Sequence, residues 1–172
     1  METPSVVIPH ASTIVQRYEE HLKKTQEKLE KIAQEHQEKL RKASDAYYHF
    51  LIQKCLEAIE EMKEKYTVSA TLSNIHQFTY EDVPRDTLHY GTATDTAYKY
   101  KPLIEGEDMP FVKAQKKMYE HGYYLLEIQQ YDDYQEECDH HITLHATRPS
   151  YLDNPYPQWH GYNVLSFLQN HQ

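Results

Sequence analysis

The sequence predicts an α+β protein: a long, coiled-coil-like N-terminal helix followed by a small aromatic-rich α+β domain with an antiparallel hairpin. Three observations lead there. Residues 12–66 contain neither Gly nor Pro and are dominated by Glu, Lys, Gln, Leu and Ala, a helical composition. Thirteen of the sixteen tyrosines fall at Tyr66 or later, so the aromatic surface of the chain is concentrated in its second part. Beyond Gly122, two stretches alternate apolar and polar residues at the period of a strand.

The predicted organisation is a tail over 1–11, the helix over 12–66 and the domain over 67–172. Pro9 stops helix from extending backward, Ser12 or Thr13 is the expected N-cap, and Tyr66-Thr67-Val68 begins a β-branched stretch. Pairs such as Glu19/Lys23, Glu27/Lys31 and Glu61/Lys65 stand at i,i+4 in the favourable order.

The apolar seam runs Tyr18, Leu22, Thr25, Leu29, Ala33, His36, Leu40, Ser44, Tyr47, Leu51, Cys55, Ala58, Met62, Tyr66, in steps that sum to eleven residues. A heptad register begun at Val15 works through Leu22, Leu29 and Ile32, then meets Lys39, Gln53 and Glu57, so a continuous left-handed coiled coil fails and straighter packing is expected. Tyr47, Tyr48, Phe50, Leu51, Ile52, Leu56, Ile59 and Met62 cover most of the circumference, which predicts that the second half is buried in the domain. A helix of this length spans roughly 80 Å against a globule diameter near 40 Å, so the first half is expected to project. The competing reading breaks the helix near Lys42-Ala43-Ser44-Asp45 and folds it back as a hairpin.

In the domain, Pro84, Gly91, Pro102 and Gly106 punctuate a short helix expected near Ser73–Tyr80 and a strand near Thr96–Lys101. Asp108 is the expected N-cap of a helix opened by Pro110, carrying Phe111, Gln115, Met118 and Tyr119 and closed by Gly122. A strand over Tyr123–Ile128, a polar connection over Tyr131–Asp139 and a strand over His140–Thr147 complete the hairpin. Tyr124, Leu126 and Ile128 are assigned to the core face with Ile142 and Leu144. An aromatic loop over Pro155–Tyr162 and a short helix from about Asn163 are expected to close the core.

Composition excludes several function classes. Eighteen Lys plus Arg against 27 Asp plus Glu give −9, of which residues 67–172 carry −8 (seven basic, fifteen acidic), arguing against nucleic acid or an anionic membrane as the main ligand. The glycines at 91, 106, 122 and 161 are too far apart for a dinucleotide or P-loop fingerprint. No stretch has the roughly 18 apolar residues of a membrane span. Two cysteines and no basic-then-apolar leader point to a reducing intracellular compartment, with a virion as an alternative location.

Cys138, Asp139, His140, His141 and His145 offer zinc-type ligands, but on a strand only Cys138 and His140 can share an ion, and His76, His89 or His121 would have to complete it. A Cys/His nucleophile on Cys138 lacks a local oxyanion hole, and Cys55 reads as a small buried residue. No metal, cofactor or catalytic residue is therefore expected. The expected function is a non-enzymatic structural or adaptor subunit of a larger assembly, such as a minor virion or capsid component. It would associate with itself or another protein through 12–43, using Tyr18, Leu22, Leu29, Ile32, His36 and Leu40. The alternative is a dimeric protein-binding module with an acidic aromatic surface, and behind it a metal-dependent or Cys/His enzyme around Cys138.

Overall fold

A computed structural model describes residues 2, 4–94, 100–132 and 137–153, with the side chains of 129–140, 151 and 153 outside the description. The chain divides into two compact units, Met1–Lys39 and Leu40–Gln172. The expected loop and helix after Pro155 lie outside the described residues.

Helix α1 (Ala11–Lys65) is continuous, so there is no reversal between Lys39 and Tyr47 and the hairpin reading is corrected. Its start falls one residue before Ser12, and the capping role passes to His10. The His10 Nδ1 accepts from the Ser12 backbone N–H at 3.2 Å and lies 2.7 Å from the Ser12 hydroxyl. At the other end Tyr66 takes a positive φ of 54° and the Thr67 N–H bonds to the Met62 carbonyl at 3.1 Å, closing the last turn. Lys63 and Lys65 lie in that turn, where they favour the negative helix end. The Glu61/Lys65 pair forms at 2.6 Å.

Within the second unit, α1 buries Ser44, Tyr47, Leu51, Cys55, Ala58 and Met62, which continue the eleven-residue seam at steps of three and four, and Ala43 beside them. The flanks are less covered than the sequence suggests. Tyr48, Phe50, Ile52 and Ile59 are half-buried and Leu56 is exposed, while Tyr66 leaves the seam altogether because the left-handed turn swings it away.

After α1 come β1 (Ser69–Thr71), a 3₁₀ turn at Ile75–Gln77 in place of the longer helix expected there, and α2 (Arg85–Tyr90). Strands β2 (Thr92–Ala93) and β3 (Tyr100–Lys101) pair antiparallel, and the rest of the strand expected from Thr96 lies outside the described residues. Helix α3 (Pro110–Glu120) precedes β4 (Tyr124–Asp132) and β5 (Glu137–His145), and the main sheet has the order β1-β5-β4. Met109, not Asp108, occupies the α3 N-cap, without a side-chain cap; the Asp108 carboxylate accepts from Lys116 Nζ at 2.6 Å instead. Gly122 with φ 85° closes α3, the Tyr123 N–H reaching the Met118 carbonyl at 3.0 Å. The strands extend into the polar stretch read as a connection, because backbone pairing holds Tyr131 to Cys138 and Asp132 to Glu137.

The register corrects the expected faces. Leu125 stands opposite Leu144 and Glu127 opposite Ile142, so Leu125 and Glu127 share the main core face while Leu126 faces the other side. There Leu126 packs with Tyr119, Tyr124 and Leu152. The main core joins the α1 seam to Leu72, Ile75, Leu88, Phe111, Ala114, Met118, Leu125, Ile142 and Leu144.

Gly91 ends α2 with φ 95° and ψ −165°, a region other residues rarely enter, and a Cβ there would strike the Lys101 carbonyl oxygen. Gly91→Ala is expected to lower stability by about 2–4 kcal/mol, above the cost of backbone strain alone. Gly106→Ala, at φ 78° with nothing within 4 Å of its Cβ, should cost about 1 kcal/mol. Urea midpoints compared between the two variants check the difference, and equal losses would contradict the collision.

Candidate functional site

The first unit exposes a stripe of large apolar side chains on α1. Ile14, Val15, Tyr18, Leu22, Leu29 and Ile32 are 49–63% exposed, and at about 100° per residue their spacing keeps them on one face. Thr25 sits within the stripe and its hydroxyl donates to the His21 carbonyl at 2.9 Å, so its polar atom is satisfied within the helix and its methyl is free for contact. Polar side chains elsewhere on the helix pair locally, Gln16 with Glu20 at 3.4 Å and Gln26 with Glu30 at 3.2 Å. His36 is exposed as well, whereas Leu40 begins the second unit and is half-buried.

The second unit holds a buried polar chain that the sequence reading did not find. His89 on α2 lies between Tyr47 on α1 and Glu127 on β4: the Tyr47 hydroxyl is 2.7 Å from Nδ1, and Nε2 is 3.0 Å from a Glu127 carboxylate oxygen. Tyr90 donates to the other carboxylate oxygen at 2.8 Å. One neutral tautomer satisfies every link, with Tyr47 donating to Nδ1 and Nε2–H donating to Glu127. The rings of Tyr90 and Phe111 pack on the imidazole with centroids 4.6 and 4.9 Å away.

Burial pushes the Tyr47 hydroxyl up to about 12, against the opposing pull of the Arg85 guanidinium. Tyr90 is also raised, by burial first and then by its bond to the Glu127 carboxylate. Arg85 is itself nine-tenths buried, pairs with Asp86 at 3.3 Å, and keeps its Nε without a hydrogen-bond partner among the described residues. Both nitrogens of His89 and both oxygens of Glu127 are engaged inside the protein, so the chain works as a polar linkage tying α1, α2 and β4 together.

Against protein-family models, curated proteins and solved structures, the chain finds no match. The site must be read from its own residues. The side chains of Cys138 and His140 lie outside the described ones. His141 is exposed; His145 is half-buried, 2.9 Å from the Thr143 hydroxyl, with burial holding its pKa down. His76 is exposed, His121 donates to the Lys117 carbonyl at 3.0 Å, and His89 belongs to the buried chain. Among the described residues no group of three His, Cys, Asp or Glu could hold a metal ion. Cys55 is fully buried and its thiol is pushed up to about 12, which keeps it protonated and unreactive at neutral pH. No helix is long and apolar enough to cross a membrane, as judged over the described residues.

The sequence offers His89 only as a possible metal ligand and leaves Glu127 unmarked, because the alternation of β4 alone places Leu126 rather than Leu125 on the core face. Choosing Leu125 rather than Leu126 as the partner of Leu144 turns Glu127 inward, and a buried carboxylate then demands donors.

Proposed function

We propose that this protein is a non-enzymatic structural or adaptor subunit of a larger assembly, joined to it through the exposed stripe of α1. The observation that carries the reading is the set Ile14, Val15, Tyr18, Leu22, Leu29 and Ile32, exposed along one helix face and covered by no element among the described residues. Each large apolar side chain removed from water stabilises an interface by about 1.5–3 kcal/mol. An isolated helix gains little by keeping such residues exposed.

A photoreactive phenylalanine analogue in place of Leu29, introduced in cells that make the protein, tests the reading. Irradiation is expected to give covalent protein adducts that disappear when Leu22→Glu and Ile32→Glu are added. Irradiated protein that stays at its single-chain mass would overturn it.

A further inference from the structure

Resting on the association just proposed, we infer that the stripe docks on a second copy of this chain, antiparallel, with Val15 opposite Ile32, Tyr18 opposite Leu29 and Leu22 opposite Thr25. The exposed residues fall into heptad positions, Val15, Leu22 and Leu29 at a and Tyr18, Thr25 and Ile32 at d. The next d position is Lys39, the last residue of the first unit. The eleven-residue seam is the one buried in the second unit, and a seven-residue repeat fits the part left uncovered.

The choice of partner and direction comes from matching the layers. In the proposed alignment every layer pairs an aliphatic side chain with another aliphatic or with Tyr18 or Thr25, and the Thr25 hydroxyl already bonds to the His21 carbonyl. A parallel, in-register pair would instead stack Tyr18 on Tyr18, Thr25 on Thr25 and His36 on His36. Its Leu29 at a followed by Ile32 at d also favours more than two strands.

Shifting the antiparallel pair by one heptad toward the second unit sets Val15 against Lys39 and Tyr18 against His36, and brings Lys28 beside its own copy. The opposite shift sets Leu29 against Ala11, the first residue of α1, and Ile32 against Ile8, which precedes the helix. In the chosen register the flanking positions put Glu19 beside Gln26, His21 beside Lys28 and Ile14 beside Glu35. No carboxylate meets a carboxylate and no ammonium an ammonium. The chain is therefore self-complementary over 15–32, about 27 Å of helix.

Sedimentation of the purified protein should give twice the chain mass. Leu29→Glu, which places a charge in two symmetry-related layers, should raise the dissociation constant at least about 100-fold while helical dichroism is retained. Under mild oxidation the variant carrying Val15→Cys and Ile32→Cys should form a disulfide between position 15 of one copy and position 32 of the other, located by peptide mass so that Cys55 and Cys138 are not confused with it. Val15→Cys alone should not link to itself, because antiparallel copies hold those positions about 25 Å apart.

A self-linked Val15→Cys dimer or a monomeric mass at high concentration would overturn the inference. A monomer in solution whose Leu29 position still gives adducts in cells would overturn the second copy as partner and leave the association itself standing. Absence of both would overturn the two together.

Discussion

Glu127→Ala is expected to lower the stability of the second unit by about 2–6 kcal/mol, because it leaves two buried donors without an acceptor at about 1–3 kcal/mol each. Glu127 is 5% exposed and receives His89 Nε2–H and the Tyr90 hydroxyl. Its removal strands both donors, one on the buried imidazole of His89 and one on Tyr90. Tyr90→Phe removes only one donor and should cost about 1 kcal/mol. Urea unfolding followed by near-ultraviolet dichroism measures both, and a Glu127→Ala loss no larger than that of Tyr90→Phe would show that the chain is not a connected network.

Raising the pH should destabilise the fold steeply between pH 9 and pH 12. Tyr47 is lifted by burial from 10.0 to about 12 and Cys55, likewise by burial, from 9.0 to about 12. Well below pH 9 both groups are protonated in the folded and unfolded chains, so their contribution is fully present. Above that the unfolded chain loses protons first, and stability falls until the folded groups titrate. At about 1.4 kcal/mol per unit, the full loss is about 3 kcal/mol for Tyr47 and about 4 kcal/mol for Cys55. Cys55→Ala should flatten the fall across pH 9 to 12, most visibly between pH 9 and 10, where Tyr47 contributes least. Urea midpoints against pH, with tyrosinate absorbance at 295 nm as the second signal, check the course; a midpoint constant from pH 9 to 12 would contradict it.

The sequence was most legible where one physical signal acted alone. The continuity of α1 followed from the absence of Gly and Pro, and its buried face from a period that survives from Ser44 to Met62. Likewise Pro110 and Gly122 bracket α3 as their backbone preferences dictate. Legibility failed where two signals competed. In Tyr123-Tyr124-Leu125-Leu126-Glu127-Ile128 apolar residues fall on both faces, so alternation could not set the phase; pairing with β5 did, and with it the burial of Glu127. Strands as short as β1 and β2 carry too few residues for any period to show. The exposed stripe of α1 was readable residue by residue, but Leu40 was assigned to it because the seam crosses the boundary between the two units without a break in sequence.

The sheet order β1-β5-β4 imposes a schedule on the newborn chain. β1 follows directly on α1, yet among the described residues its strand neighbour is β5, with Ser69 against His145 and Thr71 against Thr143. A ribosome adding 5–20 residues per second makes the stretch from the end of α1 to His145 in about 4–16 s. Until β5 is made, Tyr47, Leu51, Cys55 and Met62 exist without Ile142 and Leu144, side chains that later share their core. The second half of the helix is made before the strands of its core and is covered in full only once β5 arrives, so the cellular risk of this topology lies in those seconds.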